Sequence, residues 1–111
     1  MGSFYEMQIK CDLQKQQEIE KILGKSNRDY ERDWFLIIQE SSPKFSNALG
    51  SFVATVEGNL DKLNKIGIMS EQIVFWYMYE YEQQCNMEFH PDFTKKIGAL
   101  GIVFCISCWE K

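Results

Sequence analysis

The sequence predicts an α+β fold, a two-layer sandwich in which three helices cover one face of a four-stranded sheet. Two observations support this prediction. Four segments have the apolar or alternating pattern of strands, and three segments between them have the three- and four-residue apolar spacing of helices. A chain of 111 residues has the size of one domain, so residues 1–111 are predicted to form a single α+β unit in the order β-α-β-α-β-α-β. The spacing leaves the order of the strands open.

The first two elements are predicted to be a half-buried strand and a short helix. Apolar and polar residues alternate over 4–11, which is typical of a strand with one face in water. The polar positions that mark this wet face are Glu6, Gln8 and Lys10. Asp12 is expected to cap the helix and Gly24 to end it, because aspartate accepts from the first free N–H groups and glycine adopts a left-handed turn.

A polar loop, a buried strand and a long helix follow. Residues 25–33 are polar and of mixed charge, which indicates a loop, whereas the apolar run 34–38 indicates the second strand. After Pro43, apolar residues recur every three or four positions up to Leu63, as on the buried stripe of a helix that ends near Gly67. The stripe begins at Phe45, and the members expected to be buried beneath the helix are Phe52, Val53, Val56 and Leu60.

The third strand is predicted at the centre of the sheet, followed by a short helix and the last strand. Residues 73–81 are apolar on both faces, which is typical of a strand covered from both sides. His90 and Pro91 occupy the cap and first-turn positions of the short helix, and Gly101 ends it. The last strand is predicted over 102–109.

The charge balance and the apolar runs exclude several classes of protein. Twelve Lys and Arg residues against sixteen Asp and Glu residues give a net charge of -4, which repels phosphate backbones, so nucleic-acid binding is not expected. The longest apolar runs are too short to span a bilayer, and residues 1–10 lack the basic start and apolar stretch of a signal peptide. The sequence therefore predicts a cytoplasmic protein without membrane contact.

The four cysteines are expected to be reduced and to bind no metal, because cytoplasmic thiols are normally kept reduced. Cys105 and Cys108 have the spacing of a zinc knuckle or a redox pair, but they lie in a predicted strand, where residues three apart point to opposite faces. We expect both to be buried, inert thiols. A zinc site would need Cys85 and His90 to approach from the preceding loop.

No reaction has a complete set of residues in this sequence. His90 is the only histidine, and no third group is recognisable that would orient it with Cys85 as base and nucleophile. A hydrolase built on this pair stays a third hypothesis, whereas a capping or surface role is expected for the histidine. Phosphate-loop and calcium-loop patterns are not found. The sequence predicts neither catalytic residues nor a cofactor.

Three alternating tyrosines on the third strand are the most unusual feature of the chain. Tyrosine is enriched at protein interfaces, because its ring gives a large amphipathic contact area. If the tyrosines lie on the open face of the sheet, they form a binding surface beside acidic groups; if they lie under the helices, they belong to the core. The predicted partner-binding residues are Tyr77, Tyr79, Tyr81, Glu80, Glu82 and Trp109.

The segments 19–24, 89–93 and 97–107, together with Trp34, resemble in the same order those of a family of small bacterial domains of unknown function, numbered four-two-seven-nine. The segment 25–32 departs from that family, since it lacks a glycine-rich stretch with a tryptophan. The resemblance implies a compact α+β domain without established catalytic residues. It also implies an immunity role, which has been suspected where such genes lie near polymorphic toxins.

The sequence thus favours a non-enzymatic protein-interaction domain. The resemblance adds the hypothesis of an immunity protein that neutralises a toxin. An acidic inhibitor suits a basic toxin, because complementary fields speed their encounter. The expected partner is another protein or a second copy of the chain. The alternative is a small-molecule-binding or regulatory α+β domain, which would need a closed apolar pocket.

Overall fold

Four strands form one mixed sheet in the computed structural model, which describes residues 2–28, 32–40 and 47–111. The order of the strands in the sheet is β2-β1-β3-β4. β1 is antiparallel to both β2 and β3, whereas β3 and β4 are parallel. The strands are β1 (Phe4–Ile9), β2 (Trp34–Gln39), β3 (Ile73–Tyr81) and β4 (Val103–Glu110). The predicted central position of the third strand is confirmed, because β3 pairs on both sides.

Three helices connect the strands, and cap contacts confirm the predicted starts of the first and the last, whereas the long helix begins at Ala48 with Asn47 as its cap. Asp12 Oδ1 accepts from the Lys15 N–H at 2.9 Å, and His90 Nδ1 accepts from the Asp92 N–H at 3.2 Å. Gly101 ends the last helix with a φ of 73°, a conformation that favours glycine. The helices are α1 (Leu13–Leu23), α2 (Ala48–Lys65) and α3 (Pro91–Leu100), and a short 3-10 turn spans Ser70–Gln72. Pro43 and Phe45, which mark the predicted start of the long helix and of its apolar stripe, lie outside the described residues.

The core lies between the helices and one face of the sheet, as the two-layer prediction requires. This helix-covered face carries Met7 and Ile9 from β1 and Phe75 from β3, all with no exposed surface. Phe52 of α2 packs on Phe75, with ring centroids 5.4 Å apart. Of the four residues expected beneath the long helix, Phe52, Val53 and Val56 are buried and Leu60 is half-buried. The fold is an α+β sandwich in the predicted order.

The opposite, open face of the sheet is more buried than the alternation predicts. The alternation predicts a wet face for Glu6, yet only 4% of its surface is exposed. The reason is an ion pair across that face, in which Arg28 Nε donates to Glu6 Oε1 at 2.8 Å. Burial raises the pKa of Glu6, and the Arg28 guanidinium lowers it by less. The carboxylate is therefore held at a net cost.

Replacing Glu6 by glutamine is expected to keep or raise the free energy of unfolding at neutral pH. Because the folded-state pKa of Glu6 lies above its ordinary value, the wild type loses stability relative to Glu6→Gln as the pH rises from the ordinary pKa of a glutamate toward neutral. Urea denaturation of both proteins across this range measures the difference. A wild type that gains stability over the variant with rising pH would show that the attraction of Arg28 outweighs burial.

The outer edge of β2 is covered by the chain that follows α1. The Phe35 N–H donates to Ser26 Oγ at 3.0 Å, and the Ile37 N–H donates to Asn27 Oδ1 at 2.6 Å. The Asn27 N–H donates in turn to the Phe35 carbonyl at 2.8 Å. These contacts satisfy backbone groups that would otherwise be open to another strand, so this edge of the sheet is protected.

Within the described ranges, no helix has both the length and the apolar composition that crossing a membrane requires.

Candidate functional site

The structure places the three predicted tyrosines on the helix-covered face, which decides between the two placements that the sequence left open. Tyr77 is only 6% exposed, and its ring stacks on Tyr5 with centroids 4.5 Å apart. Its hydroxyl donates to Glu40 Oε1 at 2.7 Å, and burial raises the pKa of Tyr77 strongly. Tyr77 is thus a core residue, so its prediction as a partner-binding residue needs correction.

The other predicted partner-binding residues lie near the ends of β3 and β4, but on two faces. Tyr79 and Tyr81 are half-buried on the helix-covered face. Glu80 and Trp109 lie opposite each other on the open face, where Trp109 Nε1 donates to Glu80 Oε2 at 3.0 Å. Glu82 is exposed beyond the strand. The six residues therefore form no single patch, although they share one end of the sheet.

Sequence reasoning missed one feature of the last strand, namely that the outer side of β4 is an edge of the sheet. β4 is the last strand of the sheet, and no described strand pairs with its outer side. Between Val103 and Trp109 it contains no charged residue, no proline and no glycine. Charged residues and proline are what proteins commonly use to block an edge. We refer to the outer side of Val103–Glu110 as the β4 edge.

Two large apolar side chains of β4 are exposed, one on each face of the sheet. Val103 is 47% exposed and Ile106 is 41% exposed. Val103 pairs with Val74 on the open face, whereas Ile106 pairs with Tyr77 on the helix-covered face. An approaching strand would thus find apolar contacts on both sides of its backbone. The only signal of this in the sequence is the uncharged run, and it gains meaning only once β4 is known to be an edge.

The expected burial of the two strand cysteines is wrong, although they do point to opposite faces. Cys105 is half-buried on the open face, whereas Cys108 is exposed on the other face. The Sγ of Cys108 lies 3.3 Å from the Sγ of Cys85, which is also exposed, and this contact raises the pKa of Cys108. Among the described residues, no three Cys, His, Asp or Glu side chains are grouped to hold a metal ion.

The single histidine lies at a cleft between α2 and α3. The cleft has a volume of about 300 Å³ and is open to solvent. Its lining combines apolar and charged groups, including Val53 and Glu57 from α2, Phe93 and Lys96 from α3, and His90 at the cap of α3. Within the described chain, no hydrogen bond joins His90 to Cys85, so the structure does not assemble a nucleophile and base from this pair.

Comparison with protein-family models, with curated proteins and with solved structures finds no match to this chain. The resemblance to the family numbered four-two-seven-nine stays a prediction from the sequence.

Proposed function

We propose that this chain is a non-enzymatic protein-interaction domain that binds an extended segment of a partner protein along the β4 edge. The observation that supports the proposal is the contrast between the two edges of the sheet. Ser26 and Asn27 cover the edge of β2, whereas within the described residues the β4 edge has no such cover. Proteins usually protect a long apolar edge, so one left open is available for pairing.

Strand addition explains the pattern of residues on β4. In this mode of recognition, main-chain hydrogen bonds supply affinity and alternate side chains supply specificity. β4 offers eight residues of extended backbone, with Val103 and Ile106 exposed on either side of the sheet. Trp109 is half-buried and already bonded to Glu80, so it adds a rigid aromatic surface at the end of the strand.

The charge around the β4 edge favours a partner segment that carries basic residues. Glu80, Glu82 and Glu110 lie at the ends of β3 and β4, and the chain has a net charge of -4. The Nζ of Lys111 lies 3.5 Å from Oε1 of Glu82, and its positive charge offsets part of this negative charge. A basic partner would be attracted by the acidic groups, which speeds association and disfavours acidic competitors.

The resemblance noted in the sequence gives this proposal a particular form, an immunity protein that neutralises a cognate toxin. In that role the chain would occupy an extended segment of the toxin and hold it in an inactive complex. The acidic end of the sheet would suit a basic toxin. The proposed toxin neutralisation rests on the resemblance, whereas the proposed binding of an extended partner segment rests on the β4 edge.

Amide hydrogen exchange on a purified complex tests the proposal. The partner to use is the protein encoded beside this chain's gene, and the chain is measured alone and in the complex. We expect slower exchange at Val103–Glu110 on binding, because a paired strand protects edge amides. The amides of β2 serve as the internal control, since that edge is already covered. Complex formation without protection at β4 would overturn the proposed binding mode, and slower exchange in the free chain at high concentration would identify a second copy as the occupant.

The cleft between α2 and α3 favours the alternative, a small-molecule-binding domain. Glu57, His90 and Lys96 would offer both signs of charge to a small polar ligand, and Phe93 would offer an apolar wall. The cleft is open to solvent, whereas ligand sites usually enclose most of the ligand. Protection confined to α2 and α3 in the exchange experiment would support this alternative over the β4 edge.

A further inference from the structure

Cys85 and Cys108 form a pair of exposed thiols that the proposed function does not use. Cys108 lies near the end of β4, and Cys85 lies in the segment 82–90 that connects β3 to α3. Their Sγ atoms are 3.3 Å apart, although the residues are far apart in the chain. The fold thus brings two accessible thiols together at one point on the surface.

We propose that Cys85 and Cys108 form a dithiol site that reacts with small-molecule disulfides and closes to an intramolecular disulfide. The exposed position of both sulfur atoms lets such a reagent reach them. The gap of 3.3 Å must shrink to the about 2.05 Å of a disulfide bond. Because Cys85 lies outside the helices and strands, its segment can supply this small movement without breaking a backbone ladder.

The reaction is two successive thiol–disulfide exchanges. The thiolate of one cysteine attacks a small disulfide RSSR, so that a mixed disulfide forms and one RS⁻ leaves and takes up a proton. The thiolate of the second cysteine then attacks the cysteine sulfur of the mixed disulfide, and the second RS⁻ leaves. Both cysteine sulfurs are oxidised, and one RSSR is reduced to two RSH. No other reactant is required.

The other two cysteines are not placed to compete. Cys11 is half-buried and follows the end of β1, which pairs with the start of β3, whereas Cys108 pairs with Tyr79 near the end of β3. Cys105 lies on the opposite face of β4 from Cys108 and is half-buried. A native chain should therefore form one disulfide selectively, whereas an unfolded chain should form several.

The disulfide would fix the segment 82–90 against the end of β4. Cys108 pairs with Tyr79, so the bridge would lie over the helix-covered face beside the half-buried tyrosines. It would also close a loop that contains the whole of α3. A cross-link of this span restricts the unfolded chain, so the melting temperature should rise by on the order of 10 °C on oxidation. This inference does not depend on the proposed partner.

The experiment treats the reduced full-length chain with oxidised glutathione at neutral pH, followed by intact mass measurement and peptide mapping. We expect a product that has lost the mass of two hydrogen atoms, a cross-link between the peptides of Cys85 and Cys108, and the higher melting temperature. Cys85→Ser and Cys108→Ser should each instead retain glutathione on the remaining thiol. Cys105→Ser is the matched control, and it should close the disulfide as the wild type does.

Two outcomes would overturn the proposal. One is a wild type that accumulates glutathione adducts on Cys85 and Cys108 without the cross-link. The other is a set of cross-links that is the same for the native chain and for the chain unfolded in denaturant. Because no partner is present in the experiment, its failure would leave the proposed binding along the β4 edge untouched.

Discussion

Replacing Phe75 by alanine is expected to lower the free energy of unfolding by about 3–5 kcal/mol, a large share of the stability of a domain of this size. Phe75 has no exposed surface and lies on β3, which pairs on both sides. Its ring packs against Phe52 of α2, so it joins the sheet to the long helix. Truncation would remove these contacts and leave a cavity that strands held on both sides cannot close.

Urea denaturation followed by circular dichroism measures this loss. Phe104 is the matched control, because it lies beside Phe75 on the neighbouring strand and on the same face, but is only half-buried. Phe104→Ala should cost clearly less, since its ring packs at the margin of the core against Phe89 and Phe93. If the two variants lose equal free energy of unfolding, the contact between β3 and α2 is not the centre of the core.

The elements of this fold could be predicted from the sequence because their signals are local. Asp12 and His90 cap helices through contacts with backbone groups two or three residues away. Pro91 and Gly101 mark the first turn and the end of α3 by their own backbone preferences. The strand order could not be predicted in this way. It depends on β1 entering between β2 and β3, a pairing with residues far later in the chain.

The prediction that Glu6 lies on a wet face is wrong because it, too, depends on a contact with a residue far away in the chain. Strict alternation places Glu6 on the side away from the helices, which is correct, but alternation does not say what else covers that side. Arg28 reaches Glu6 from the loop after α1, and its guanidinium lies 5.6 Å from the centroid of the Phe35 ring. The polar composition of the loop does not show that Arg28 contacts Glu6 and Phe35, so the burial of Glu6 could not be predicted from it.

Of the predicted partner-binding residues, Tyr77 lies in the core, whereas the others lie near the ends of β3 and β4. Tyr77 is buried because β1 supplies Tyr5 as its stacking partner, and that pairing is not visible in the sequence. The β4 edge was missed because a strand becomes an edge only through its place in the sheet. The uncharged run from Val103 to Trp109 looks the same in a central strand.

Replacing Ile106 by lysine is expected to weaken binding of the partner at least about thirtyfold, which corresponds to about 2 kcal/mol. Ile106 is 41% exposed in the free chain, so the lysine ammonium can stay in water and the fold should be retained. A partner strand that pairs with β4 would have to bury this charge. Lysine on an edge strand is also a common means by which proteins prevent pairing.

Met69→Lys is the matched control, because Met69 is 42% exposed and lies before the 3-10 turn, outside the paired backbone of β4. It adds the same charge at a site of equal exposure. Any general effect of that charge on association with the proposed basic partner would therefore appear in both variants. Only a loss of binding affinity that occurs in Ile106→Lys and not in Met69→Lys is evidence for pairing along the β4 edge.

The most direct test of binding along the β4 edge is the dissociation constant of the complex with the protein encoded beside this chain's gene. Isothermal titration calorimetry would measure it for the wild type, Ile106→Lys and Met69→Lys, each first shown to be folded by circular dichroism. We expect a dissociation constant at least about thirtyfold higher for Ile106→Lys and nearly unchanged for Met69→Lys. Equal dissociation constants for the wild type and Ile106→Lys would contradict binding along the β4 edge.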